Sequence, residues 1–157
     1  MADADSYQIS ITMSNVPLFG TITMTTKYDG NIQYTPAVMF SEEEYIEKVG
    51  NVEYKYTKND SGKWIKTQNS TENDSSGVIG DKTLEKLFNP DNYEKVKDKE
   101  NTFKQKKGVS FDKFEDVVMT IEDKSCTIEM VSTDDGYGVK VIISKIGEIE
   151  LTLPAVE

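Results

Sequence analysis

The 157-residue chain contains no histidine and no arginine, and its single cysteine is Cys126. Without histidine it lacks the side chain that titrates near neutral pH and serves most often as a general base. Without arginine it lacks the planar fork that grips phosphate or carboxylate with two parallel hydrogen bonds. All 18 basic residues are therefore lysines, a bias that A+T-rich coding explains as well as any function does. One cysteine permits no internal disulfide, and the zinc and iron–sulfur spacings that need several Cys or His are missing. No stretch approaches the roughly 20 apolar residues of a membrane-spanning helix. The start, Met1-Ala2-Asp3-Ala4-Asp5-Ser6, shows no charged-then-apolar leader. It reads equally as a cytoplasmic start or as what remains once a leader has been removed.

What the sequence does have is acid. The 28 acidic residues give a net charge of -10 and a pI near 4.6, so the mean field repels phosphate backbones and anionic headgroups, and nucleic acid is not expected as a partner. A hydrophobic fraction of 36% points to a modest core with a well-solvated outer face. The length fits one domain over 1–157, with a disordered lead at 1–6 and a mobile polar loop at 68–77.

Periodicity makes most of the chain β. Tyr7, Ile9, Ile11 and Met13 alternate with polar residues, as on a strand with one buried face. A second run, Thr21–Tyr28, puts Ile22, Met24 and Tyr28 on one face, and Asp29-Gly30 supplies a tight turn. The run from Asn31 to Phe40 follows, with Pro36 placing it at a sheet edge or a bulge. Residues 42–49 are ambiguous: Ser41-Glu42-Glu43-Glu44 resembles a helix start, but Gly50-Asn51 followed by Val52, Tyr54 and Tyr56 favours a hairpin. Another turn at Asp60-Ser61-Gly62 leads to Trp64.

Beyond the polar loop, Asp81–Phe88 reads as a helix stopped by Asn89-Pro90. Tyr93–Lys97 and Thr102–Lys106 read as a polar hairpin around Asp98 to Asn101, with a frayed helix as the alternative that their Lys/Glu content also fits, and Ser110–Asp116 as a helical turn with Phe111 and Phe114. The remainder is a meander: Val117–Glu122, Ser125–Thr133, Tyr137–Lys145 and Glu148–Leu153. The fold class is thus mainly β (a β-rich α+β chain), an antiparallel sheet of hairpins with one to three short helices.

Little in the sequence resembles catalytic machinery. Cys126 lies among strand residues and reads as a packing cysteine, and no Ser-x-x-Lys helix is present. The acidic pairs among Glu42, Glu43, Glu44, Asp134 and Asp135 are what chance supplies in so acidic a chain. Asp134-Asp135-Gly136 is only a fragment of a calcium loop, and the Asn-x-Ser/Thr matches at Asn59, Asn69 and Asn73 arise freely in polar stretches. No cofactor or metal is expected, and the chain does not read as an enzyme. What remains is a set of methionine and aromatic side chains: Met13, Met24, Tyr28, Tyr34, Met39, Tyr54, Tyr56, Trp64, Met119 and Met130. They suit a concave pocket for an apolar ligand or an ordinary sheet core.

Several short segments resemble extracytoplasmic lipoproteins of low-GC Gram-positive bacteria whose domains are similar to the lipoprotein-carrier (LolA/LppX-like) fold. They are Met24-Thr25-Thr26-Lys27-Tyr28-Asp29-Gly30-Asn31 leading to Tyr34, Glu44-Tyr45-Ile46, Tyr54-Lys55-Tyr56-Thr57-Lys58, Gly62-Lys63-Trp64-Ile65-Lys66 and Ile146-Gly147-Glu148 to Leu153-Pro154. The resemblance implies a curved antiparallel sheet or half-barrel with helices over its concave face, in an extracytoplasmic domain held at the cell membrane by an N-terminal lipid anchor that this sequence does not include. It implies either a non-catalytic structural or protein-interaction module of the envelope, or a carrier of a lipid-like ligand on the concave face. A cytoplasmic location is the alternative.

Overall fold

The computed structural model describes residues 5–38, 41–69 and 81–156. The early strands are β1 (Ser6–Val16), β2 (Gly20–Asp29), β3 (Ile32–Thr35), β4 (Glu44–Val49), β5 (Val52–Lys58) and β6 (Trp64–Asn69). Helix α1 (Asp81–Leu87) and a 3-10 turn (Pro90–Asn92) follow. The late strands are β7 (Tyr93–Lys95), β8 (Thr102–Gln105), β9 (Phe114–Glu122), β10 (Ser125–Ser132) and β11 (Gly138–Ser144). The hydrogen-bonded order is β6-β5-β4-β3-β2-β1-β11-β10-β9-β8-β7, open at both ends. The class is mainly β and antiparallel, as the alternation of the sequence predicts.

Two compact units divide these elements, and β1 and β2 contribute residues to both. The first takes residues up to Ile9, from Met24 to the end of β6, and from Lys145 onward. Its hairpins are closed by local chemistry. Gly50 adopts φ 61° in the two-residue turn that pairs Val49 with Val52, a conformation glycine takes without steric cost. At the β5–β6 turn the Asn59 side-chain oxygen accepts from the N–H groups of Ser61 and Lys63, each at 3.0 Å.

The second unit spans Ser10–Thr23 and α1 through Ser144, and it holds most of the fully buried apolar side chains. Leu87, Phe111, Val117, Ile128, Val141 and Ile143 are shut off from water. Register explains the arrangement: Ile128 of β10 lies opposite Met119 of β9 and Val141 of β11, and Met119 lies opposite Phe103 of β8. A β-bulge at Asp116, where φ is 55° and the β9–β10 register shifts, puts Phe114, opposite buried Ser132, on the same side as Val117, positions that strict alternation would send to opposite faces. Helix α1 is joined at its C-terminal carbonyls, which the helix itself leaves unpaired. Asn92 Nδ2 donates to Lys86 O at 2.8 Å and the Tyr93 hydroxyl donates to Leu87 O.

Several expectations need correction. β3 lies between β2 and β4, so Pro36 does not mark an edge; the strand stops at Thr35, one residue short of the proline, and no ladder donor is lost. Residues 42–49 are a strand, as favoured. Ser110–Asp116 is not helical: Phe111 bridges Phe114, where β9 starts. Glu148–Leu153 forms no strand, because side chains take the place of a ladder. Ser6 Oγ accepts from Ile149 N at 3.2 Å and Asp29 Oδ2 from Leu151 N at 2.8 Å. Gln68 and Asn69 extend β6 instead of opening a loop, and the rest of the expected loop at 70–77 lies outside the described residues. So do residues 1–4 of the expected lead, whereas Ser6 is buried at the start of β1.

Truncating Ile128 to Ala should cost about 2–5 kcal/mol of stability, the range for a fully buried aliphatic side chain that leaves a cavity. The same change at Ile121, two residues beyond Met119 on β9 but 45% exposed at the end of the strand, should cost less, because fewer of its contacts are lost and no closed cavity is left. Urea unfolding of the two variants measures both.

Candidate functional site: a tyrosine row across β3 to β6

In an antiparallel pair, directly opposed residues share a face. The register of the first unit pairs Lys27 with Tyr34, Tyr34 with Tyr45, Tyr45 with Tyr56, and Tyr56 with Lys66. One row therefore crosses from β2 to β6 as Lys27, Tyr34, Tyr45, Tyr56, Lys66, with tyrosines inside and a lysine at each end. The period of two along each strand adds Glu47 and Tyr54 on one side of that row, and Lys58 opposite Trp64 on the other.

The rings touch. Tyr34 and Tyr45 are tilted at a centroid distance of 4.6 Å, and Tyr45 meets Trp64 edge-on at 5.5 Å. Lysines lie over them: Lys66 Nζ is 4.2 Å from the Tyr54 centroid and 5.4 Å from that of Tyr56, and Lys58 Nζ is 5.1 Å from Trp64. These are cation–π contacts, worth about 0.5–1 kcal/mol each where solvent reaches them. The lysine stems also shield ring surface from water.

Two carboxylates tie the cluster together. Glu43 accepts from the Tyr34 hydroxyl at 3.0 Å and from Lys58 Nζ. The Lys58 hydrogen bond, with that of Tyr34 second, holds the Glu43 carboxyl below the ordinary carboxylate range. Burial, and then the bond to Glu43, pushes the Tyr34 phenol up. Glu47 accepts from the Tyr56 hydroxyl at 3.1 Å and lies 3.8 Å from Lys66 Nζ. Lys66 is raised above its usual value, chiefly by hydrogen bonding to Tyr56.

The residues singled out from sequence fall into separate groups. Tyr34, Tyr54, Tyr56 and Trp64 share the face just described. Met24 and Tyr28 belong to the same unit but lie on the other side of β2, since Tyr28 pairs with Gln33 while Lys27 pairs with Tyr34; Tyr28 stacks on Tyr7 at 4.7 Å. Met13, Met119 and Met130 belong to the second unit. There Met119 and Met130, 6% and 3% exposed, are packing residues of the filled core. Met39 lies outside the described residues. Tyr45, the centre of the row, was not among the candidates. Its signal was its place two residues before Glu47 in a strand that also pairs Tyr54 and Tyr56, and the helical alternative for 42–49 hid it.

Cys126 is half-buried, not buried, because it lies opposite the solvent-facing Ile121; burial pushes its thiol up, away from the reactive thiolate. Among the described residues no three His, Cys, Asp or Glu side chains converge on a common point. No helix there is long and apolar enough to cross a membrane. No protein-family model matches the chain, and no curated protein sequence is similar to it.

The lowered carboxyl of Glu43 carries a pH dependence. A carboxylate whose folded value is depressed contributes its full stability above the ordinary glutamate range, about pH 4 to 5, and loses it as the pH falls through the folded value. Wild type should therefore be more stable than Glu43→Gln at neutral pH. The gap should close as the pH drops below that window, in urea titrations run between pH 7 and pH 3.

Proposed function

We propose that this chain is a non-catalytic interaction module of the bacterial cell surface, and that the tyrosine row of β3–β6 is the face it offers to a partner protein of the envelope. The observation that carries this reading is the cluster of Tyr34, Tyr45, Tyr54 and Trp64, all half-buried, fixed against one another on one sheet face and rimmed by Lys27, Lys58, Lys66, Glu43 and Glu47. Tyrosine and tryptophan are enriched at protein interfaces. They bring large contact area with few rotatable bonds, and a charged rim sets orientation. With Tyr34 bonded to Glu43, Tyr45 packed on Tyr34 and Trp64, and Tyr54 covered by Lys66, these rings have little side-chain entropy left to lose on binding.

The placement at the cell surface, behind an N-terminal lipid anchor, and the LolA-like character of the sheet rest on the short resemblances in sequence. Carriage of a lipid on a concave face is less well supported. Tyr56 is only 4% exposed, and Met119 and Met130 give their surface to the core of the other unit.

A photo-crosslinking residue in place of Tyr45, in cells that express the protein, should yield one discrete protein adduct. The same group in place of Lys48, exposed on the opposite side of β4, should yield none. Trp64→Ala should weaken the purified pair by about 2 kcal/mol or more, as at an interface hot spot. Equal labelling from both positions would sink the proposal. So would acyl chains recovered by organic-solvent extraction of the purified protein, which would favour the lipid carrier instead.

A further inference from the structure

The β1–β2 connection does something a folding turn has no need to do. Pro17, Leu18 and Phe19 join the strands, and Phe19 N donates back to Val16 O at 3.2 Å. Leu18 stands at φ 70°, a left-handed backbone that bulky side chains rarely adopt and that glycine or asparagine fills with less strain. Leu18 is nevertheless 101% exposed, and Phe19 beside it is 49% exposed. The other large exposed apolar residues, Val49, Ile65, Ile121, Ile146 and Val156, are scattered singly, which is ordinary for a protein surface. A second observation concerns charge. From Ser6 to Thr26 no residue is charged, in a chain where 29% of residues are. The tip is thus two apolar side chains on a neutral shaft whose flanks carry Ser14, Asn15, Thr21 and Thr23, with Thr12 and Thr23 hydroxyls hydrogen-bonded across the hairpin at 3.0 Å.

We propose that this hairpin tip inserts into a neutral lipid surface, with Leu18 and Phe19 at the depth of the upper acyl chains and the hydroxyl and amide side chains level with the headgroups. The inference is independent of the tyrosine row. Insertion of the tip desolvates no ion of its own hairpin, because Ser6 to Thr26 carries none, whereas a charged flank would have to be stripped of water or held back. A tip of two side chains also falls far short of the roughly 1,000 Å² of buried surface that a specific protein interface requires. A bilayer accepts a small apolar wedge and adds its contribution to any other anchor, so the affinity is modest and reversible. The net charge of -10 selects the lipid: an anionic surface repels the body of the protein at low salt, and a zwitterionic one does not.

Vesicle sedimentation tests this with phosphatidylcholine alone and with phosphatidylcholine containing phosphatidylglycerol. Wild type should partition onto the neutral vesicles with little dependence on salt. It should bind the anionic ones more weakly at low salt and recover as salt screens the repulsion. Leu18→Asn should lower partitioning at least about tenfold, the equivalent of withdrawing one exposed leucine side chain from the apolar layer. Its thermal midpoint should stay the same or rise, because asparagine suits the positive φ. Failure to bind neutral vesicles, preference for the anionic ones, or undiminished binding by a folded Leu18→Asn would overturn the proposal. Concentration-dependent self-association that Leu18→Asn abolishes, without vesicle binding, would overturn it too and would assign the tip to a second copy of the chain.

Discussion

Register is the constraint on which the rest of the first unit depends. Side chains alternate along a strand, so a slip of one residue anywhere between β3 and β6 would send that strand's tyrosine to the opposite face and break the row. Tight turns prevent the slip. Gly50 at positive φ closes β4 onto β5 with Val49 against Val52, and Asn59 cradles the N–H groups of the next turn. Once those turns are set, Tyr45 has no alternative to lying opposite Tyr56, nor Lys66 to lying beside Tyr56, and the ladder from Ile32–Glu47 to Thr35–Glu44 adds Tyr34 to the row. The cation–π contacts and carboxylate bonds follow from the register; none of them, at under about 1 kcal/mol for an exposed pair, could impose it.

The two units use their apolar side chains differently, and the low hydrophobic content of the chain makes the difference intelligible. The second closes a filled core around Ile128, Val141 and Phe111, sealed at α1 by hydrogen bonds from Asn92 and Tyr93. In the first, among the described residues, Ile9, Ile46 and Tyr56 are the buried apolar side chains. Burial there comes from aromatic rings roofed by lysine stems, and Ile46 lies opposite Gln33 and Lys55, with Lys55 bonded to Glu44 at 2.9 Å. Such a face keeps its large groups near the surface, where the proposed interaction needs them.

How much of this the sequence disclosed depends on where the information lay. Alternation and turn residues are local, so the hairpins from Tyr7 to Trp64 and from Val117 to Ser144 were legible, including the strand at 44–49 that the acidic run Glu42-Glu43-Glu44 disguised. Features decided by distant residues were not. Pro36 carries a true prohibition, but the strand obeyed it by ending one residue earlier, which only the position of β4 reveals. Phe111 and Phe114 have helical spacing, and their bridge is fixed by the start of β9. The Glu148–Leu153 run has strand composition, yet its N–H groups are met by Ser6 and Asp29, far away in sequence. The same limit governed the site. Aromatic residues could be recognised, but pooling them with the methionines merged two units and both sides of β2, and Tyr45 emerged only when the strands were paired.

The absence of arginine, so informative as an exclusion, also bears on how the tyrosine row works. A guanidinium stacked on a ring forms a rigid, directional cover, whereas a lysine is a point charge on a four-carbon stem that swings away at little cost. Lys58 and Lys66 are each held by one carboxylate and one or two rings, with more than a third of each side chain in water. A roof of that kind keeps aromatic surface from sticking indiscriminately. It can be displaced by a partner that supplies its own contacts to the rings and its own acceptors to the ammonium groups. Selectivity then lies in the exchange: a purely apolar surface would displace the lysines and leave their charges without new partners, while a surface carrying carboxylates or carbonyls at the rim would satisfy both. On the proposed reading, an acidic protein that bears half-buried aromatic groups under lysines is thereby biased toward partners that are mixed in character.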